Sequence, residues 1–193
     1  FDIGTTVDTT PAGDACDTAT PLMAGTTLMG ETLVGFTNDY AGGTNCSTTF
    51  AGLDRTYSLT IPAGQQATVT VTPATGLNTA ISVVDAVVGC GNGTCIAGSD
   101  NGASGAADTL LVSNPGMTPR NVFIIVDSSS SSTPTTFNIG AVLAAIPPND
   151  ACENAGTPIT ASTSVMGTLT GRGNDYNWGS NQGCASGTTS LDT

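Results

Sequence analysis

The sequence predicts an all-β chain: antiparallel, jelly-roll-like β-sandwich domains in tandem. Three observations carry that reading. Apolar and polar residues alternate with period two in several short runs. Clusters of Gly, Pro and Asn punctuate those runs at close spacing. The chain also repeats itself at a separation of 136 residues, the size of a domain. No segment sustains a 3.6-residue apolar period, so no long helix is expected.

Tyr57-Ser58-Leu59-Thr60-Ile61 and Ala67-Thr68-Val69-Thr70-Val71-Thr72 alternate cleanly and read as strands. Residues 81–84, 109–112, 122–126 and 136–142 are further strand-length apolar runs. Between them lie turn clusters at 62–64, 73–76, 98–105 and 114–116. Thr and Ser make up about a quarter of the chain, and β-branched Thr suits the exposed side of a pleated sheet.

The repeat sets the domain organisation. Phe1, Ile3, Gly4, Pro11 and Asp14-Ala15-Cys16 match Phe137, Ile139, Gly140, Pro147 and Asp150-Ala151-Cys152 without a gap. The match continues through Leu33 with Leu169, Gly35 with Gly171, and Asn38-Asp39-Tyr40 with Asn174-Asp175-Tyr176. After two inserted residues, Cys46 meets Cys184 and Leu53-Asp54 meets Leu191-Asp192. On that phasing, residues 1–11 are the last strand and linker of a preceding repeat. Residues 12–146 are a complete sandwich, and 147–193 are a linker and the first part of the next repeat. The 193 residues therefore read as a window on a longer array.

Composition removes most catalytic chemistries. There is no His and no Lys, and the three cations are Arg55, Arg120 and Arg172 against 15 Asp and Glu, a net charge of −12. That excludes His-based nucleophile activation, imidazole metal ligation, Schiff bases and a phosphate-binding loop lysine. Three cations also give nucleic acid no electrostatic footing. The longest apolar runs, such as residues 141–146, are too short to span a bilayer.

Six cysteines, Cys16, Cys46, Cys90, Cys95, Cys152 and Cys184, with neither His nor a CxxC knuckle, argue for disulfides over zinc. The repeat suggests that Cys16 closes on Cys46 and Cys152 on Cys184, each within its own domain. A loop of that size is worth about 3–4 kcal/mol on the chain-entropy model. Cys90 and Cys95 flank Gly91-Asn92-Gly93-Thr94 and read as a hairpin staple, worth about 2 kcal/mol. Disulfides imply an oxidising, extracellular or cell-surface location.

The residues also carry a family resemblance. Asp14-Ala15-Cys16, Asn38-Asp39-Tyr40, and a cysteine before Leu53-Asp54 and Tyr57 come first. Then follow Asn78-Thr79-Ala80-Ile81, Cys90 and Cys95, and Ser99-Asp100-Asn101. The domain closes with Asn121-Val122-Phe123-Ile124-Ile125-Val126-Asp127 and Phe137-Asn138-Ile139. This pattern resembles the bacterial pre-peptidase C-terminal domain in its cysteine-containing, tandem form. The resemblance implies a compact jelly-roll-like sandwich and an accessory, non-catalytic role in secreted or surface proteins. It also implies that calcium or extracellular polymers are plausible ligands, with no cofactor required.

Calcium wants several hard oxygen ligands. The turn Asp100-Asn101-Gly102 with Asp108, joined by Asp127, is the first candidate set, and Asp39 with its repeat Asp175 is a second. The bland alternative for these carboxylates, and for Asp14, Asp17 and Asp85, is anchoring turns by accepting backbone N–H groups. Acid–base or glycosidase work by carboxylate pairs is the weaker reading, since neither Asp-Thr-Gly nor Asp-Ser-Gly occurs. Tyr176 and Trp178 suggest a sugar-stacking platform, yet Gly42 replaces Trp178 in the complete repeat. The Ser- and Thr-rich run at 128–136 reads as a solvated loop with the composition of O-glycosylated segments. The sequons at Asn45 and Asn92 adjoin cysteines.

The functional expectation is a structural or adhesive repeat of a secreted bacterial surface protein. Its partners would be further copies of itself in a fibre or filament, and extracellular polysaccharide. The alternative is an accessory domain that targets a secreted hydrolase to a polysaccharide or protein.

Overall fold

A computed structural model describes residues 10–40, 46, 52–90, 95–129, 136–148 and 166–171. The described residues form nine strands: β1 (Thr20–Pro21), β2 (Thr27–Thr32), β3 (Asp54–Ile61), β4 (Gln65–Pro73), β5 (Thr79–Asp85), β6 (Ala97–Ser99), β7 (Asp108–Asn114), β8 (Arg120–Ser128) and β9 (Thr136–Ala145). One helical turn, Cys16–Thr18, precedes β1. The strands make a five-stranded sheet in the order β1-β3-β8-β5-β6 and a four-stranded sheet in the order β2-β9-β4-β7. Every pairing is antiparallel except the short β1–β3 contact. This is the β-sandwich that the period-two runs predict. Among the described residues, no helix is long and apolar enough to cross a membrane.

Alternation decides which side chains fill the space between the sheets. Tyr57, Leu59 and Ile61 of β3, Val122, Ile124 and Val126 of β8, and Ile81 and Val83 of β5 point inward from the first sheet. Ala67, Val69 and Val71 of β4, Leu110 and Val112 of β7, and Phe137, Ile139 and Ala141 of β9 meet them from the second. Burying each large side chain contributes roughly 1.5–3 kcal/mol. Tyr57 and Phe137 pack edge to face with ring centroids 6.3 Å apart. The Tyr57 hydroxyl donates to Glu31 Oε2 at 2.9 Å, and Arg55 pairs with the same oxygen at 2.9 Å while lying over the Phe36 and Tyr57 rings. Burial pushes the Tyr57 phenol well above its ordinary range, so it stays a donor.

The segment before β1 is fixed against β3. Thr56 N donates to Gly13 O at 2.6 Å, and Gly13 has φ +94°. A Cβ there would sit 2.8 Å from Thr20 Oγ1, so glycine is required on both counts.

The first sheet is covered on its outer side as well. Val84, Ile125 and Phe123 face outward and meet Cys16, Tyr40, Cys46, Cys90 and Cys95, forming a second, smaller apolar cluster. Here the cysteine pairing departs from the sequence expectation. Cys16 bonds to Cys90, with Cα atoms 6.1 Å apart, and Cys46 bonds to Cys95, at 5.1 Å. The physical reason is that both early cysteines lie over the outer face, where the β5–β6 connection brings Cys90 and Cys95 to meet them. The repeat shows which cysteines recur, not which partner each one finds. These bonds close separations of 74 and 49 residues. On the chain-entropy model each is worth about 4 kcal/mol, well above a five-residue staple. Cys152 and Cys184 lie outside the described residues, as do residues 1–9 and 172–193.

Peptide mapping of the unreduced protein is therefore expected to recover Cys16–Cys90 and Cys46–Cys95 crosslinks. Recovery of a Cys16–Cys46 peptide would restore the pairing expected from the repeat.

Candidate functional site

Asp54 and Asp127 stand directly opposite each other in the β3–β8 ladder. Both side chains point to the outer face of the five-stranded sheet, away from the central core. The turn after β2 folds over them. Asp39 N and Tyr40 N donate to Asp54 Oδ2 at 2.8 and 2.9 Å. Thr37 N donates to Asp14 Oδ1 at 2.7 Å. The Tyr40 hydroxyl, in turn, accepts from Cys16 N at 2.9 Å. One chain turn thus gathers Asp14, Asp39 and Asp54, and the ladder adds Asp127.

The gathering is electrostatically uncompensated. Asp54 is fully buried, and Asp14 and Asp127 are 5% and 6% exposed. Arg55, the neighbour of Asp54, points to the other face and serves Glu31, while Arg120 at the far end of β8 serves Asp85. Asp54 Oδ1 is buried without a hydrogen-bond partner. The Thr37 hydroxyl lies 2.6 Å from Asp39 Oδ2 and 3.1 Å from Asp14 Oδ1, so a single proton faces two carboxylates. Burial raises the Asp54 carboxyl to about 6, against the two backbone N–H bonds and helped by the charges of Asp39 and Asp14. Burial likewise raises Asp127 to about 7, against the Ser128 N–H and helped by Asp54.

The first calcium candidate set divides between two places. Asp108 is fully buried and already engaged. Its Oδ1 accepts from Asn101 N and Gly102 N at 2.9 and 2.8 Å, and its Oδ2 accepts from Thr79 Oγ1 at 3.0 Å. Asp108 therefore anchors the turn carrying Asp100 and Asn101. Asp127 belongs instead with Asp54, and Asp39, the second candidate, joins them. Among the described residues, no three carboxylate or thiolate side chains already converge in a metal-ligating arrangement.

The sequence places Asp54 in the repeat and in the family pattern, not among the candidate ligands. A signal was there: Asp14, Asp39 and Asp54 all recur, as Asp150, Asp175 and Asp192. Tyr176, Trp178, Asp175, the sequons at Asn45 and Asn92, and residues 130–135 lie outside the described residues.

Open surface elsewhere is shallow. A groove of about 620 Å³ crosses the outer five-stranded face, lined by Met23, Ser58, Thr60, Asn121 and Phe123. A smaller one of about 220 Å³ lies on the outer four-stranded face among Thr27, Thr68, Thr70, Thr72 and Asn138. Neither is lined by an acid, a base or a thiol.

No family model matches the chain. No curated protein matches it either. Among solved structures, the chain is similar to the pre-peptidase C-terminal domain of collagenase from Bacillus anthracis. The two share 13% identity with a TM-score of 0.44, over 64% of this chain and 93% of that one.

Because the chain has no His, no side chain with an ordinary pKa titrates between about pH 5 and pH 8. The raised Asp54 and Asp127 make the folded state bind more protons than the unfolded chain there. Their contribution is full below about pH 4 and lost as pH rises through about 6 to 7. In metal-free buffer the Tm is expected to fall by several degrees across that window, and Asp127→Asn to flatten the slope. A wild-type Tm that rises with pH would contradict the assignment.

Proposed function

We propose that this chain is a non-catalytic structural repeat of a secreted bacterial surface protein, assembling into an extracellular fibre. One observation carries the reading. A domain-sized unit recurs across a short Pro147-Pro148 linker, and the part of its second copy in the sequence keeps the counterparts of Cys16 and Cys46, the Asn-Asp-Tyr motif and three of the four clustered aspartates. Disulfide closure of loops over one sheet suits a module that endures outside the cell. Short, stiff linkers turn repeated domains into length. The absence of His and Lys from the sequence costs such a scaffold nothing, since no side chain is asked to react.

The acidic cluster supports a second element of the reading, a calcium ion. Buried carboxylates without a cation must take up protons or a metal. Asp14, Asp39 and Asp54, with Asp127 behind them, offer hard oxygens, and the orphaned Asp54 Oδ1 is an acceptor in want of a partner. These residues suit the ion better than Asp100, Asn101 and Asp108, whose anchor is spent on backbone N–H groups. At a hundredfold excess over Kd, a bound ion would add about 2.7 kcal/mol, or several degrees of Tm. Calcium is therefore expected to raise the Tm near neutral pH, and Asp54→Asn to abolish the rise. A wild-type Tm indifferent to both calcium and chelator would end the calcium reading.

The alternative, an accessory domain that targets a secreted hydrolase to polysaccharide or protein, draws on the groove floored by Phe123. Electron microscopy of the native material separates the two. Rods with a domain-sized axial repeat are expected for the fibre, whereas dispersed particles carrying a catalytic domain would overturn it.

A further inference from the structure

The chain has four methionines, and the fold places every one of them on its surface. Met23, Met29, Met117 and Met166 are 71%, 70%, 96% and 98% exposed. Methionine is among the residues most often buried, and its flexible thioether ordinarily fills gaps in a core. Here the central core is filled by Val, Leu, Ile, Ala, Tyr and Phe without it.

The backbone beside three of these methionines is held by other groups. Met23 lies in a turn closed by Thr26 N, which donates to Met23 O at 3.1 Å. Next to Met29, Gly30 N donates to Asn138 Oδ1 at 2.8 Å. The turn carrying Met117 is fixed by Asn114, whose Nδ2 donates to Ile61 O at 2.8 Å and to Thr118 O at 2.9 Å. A change of polarity at the sulfur atoms leaves all of these bonds in place. In the core the same change would be costly, because a sulfoxide is polar and would lie among apolar side chains.

The rest of the chain offers an oxidant little else. There is no His and no Lys. Among the described residues no free thiol remains, since Cys16, Cys46, Cys90 and Cys95 are paired. Reactivity toward peroxide follows thiolate character and exposure, and without thiolates the exposed thioethers come first.

We infer that the four methionines form a surface sink for hydroperoxides, in which each takes up one oxygen atom and the fold is kept. The step is a two-electron oxygen transfer. A sulfur lone pair attacks one peroxide oxygen, and the S–O bond forms as the O–O bond breaks. The departing oxygen takes up the proton of the transferred one and leaves as water or an alcohol. Sulfur is oxidised to the sulfoxide and the peroxide is reduced. A methionine sulfoxide reductase is the class of enzyme that reverses the step, and sulfoxides at the surface are within its reach. The inference stands apart from the repeat, the fibre and the calcium ion.

Excess hydrogen peroxide, applied to the 193-residue chain with its disulfides intact, provides the test. Peptide mass spectrometry is expected to find one added oxygen at each of the four methionines. Each should react within about threefold of the rate of N-acetylmethionine amide, as exposure dictates. The Tm of the oxidised protein should stay within about 2 °C of the untreated one, the range of an ordinary surface change. Leu110→Met supplies the contrast. Leu110 is 9% exposed within the core, so a thioether there should react at least about tenfold more slowly than the four, because access waits on opening of the sheets. A native methionine that lags the free amide by about tenfold or more, or a Tm that falls as oxygen is taken up, would overturn the inference. Equal rates at Leu110→Met and at the four surface sites would overturn it too, since placement would then decide nothing.

Discussion

A chain with so few cations cannot neutralise its carboxylates by pairing them, and the loops of this domain are arranged around that shortage. Among the described residues, five buried or half-buried aspartates are met by main-chain N–H groups, Asp85 in addition to its pair with Arg120. Asp14 takes Thr37 N, Asp54 takes Asp39 N and Tyr40 N, Asp85 takes Val87 N, Asp108 takes Asn101 N and Gly102 N, and Asp127 takes Ser128 N. Every one of these fixes the course of the backbone beside it. A backbone amide carries only a partial charge, so desolvation is offset in part. At Asp108 two amides and the Thr79 hydroxyl share the work. At Asp54 and Asp127 they fall short, which is why those carboxyls rise.

That shortfall is tolerated because the loops above it cannot lift away. Cys16–Cys90 and Cys46–Cys95 fasten two points in the domain's first third to the β5–β6 connection. The small cluster of Val84, Ile125 and Phe123 beneath them is too small to hold three loops by burial alone. Covalent closure and apolar contact therefore act together beside the acidic cluster. The five-stranded sheet is in effect a middle layer, with the main core on one side and a stapled cap on the other.

Much of the sandwich was legible in the sequence, and the physical reason is the pleat. Residues 57–61, 67–72, 81–84, 109–112, 122–126 and 136–142 all lie in strands, since burial on one or both faces leaves its period in the residues. β1, β2 and β6 left no such trace. β2 shifts register between Leu28 and Glu31 and carries Gly30 at φ +66°, and β1 and β6 are short edges. The cysteine partners were illegible for a different reason. Recurrence reports what travels with each repeat, while pairing depends on how separate loops fold over one face. The cluster around Asp54 was half legible, because three of its members recur, but its fourth comes from a strand far along the chain.

The two outer faces of the sandwich therefore carry different work in the proposed array. The five-stranded side carries the aspartate cluster, with Asp54 fully buried beneath the turn at 37–40. The four-stranded side is uncharged, Thr-rich and open, with its buried polar atoms gathered at the corner nearest the linker. A net charge of −12 over 193 residues repels parallel chains across solvent, an effect that fades within a Debye length of about 8 Å. In the proposed array, contacts along one chain would escape most of that repulsion, because a linker would hold successive repeats together and the described outer face of the four-stranded sheet bears no carboxylate. Such an array would favour length over lateral bundling, with charge and connectivity setting that preference.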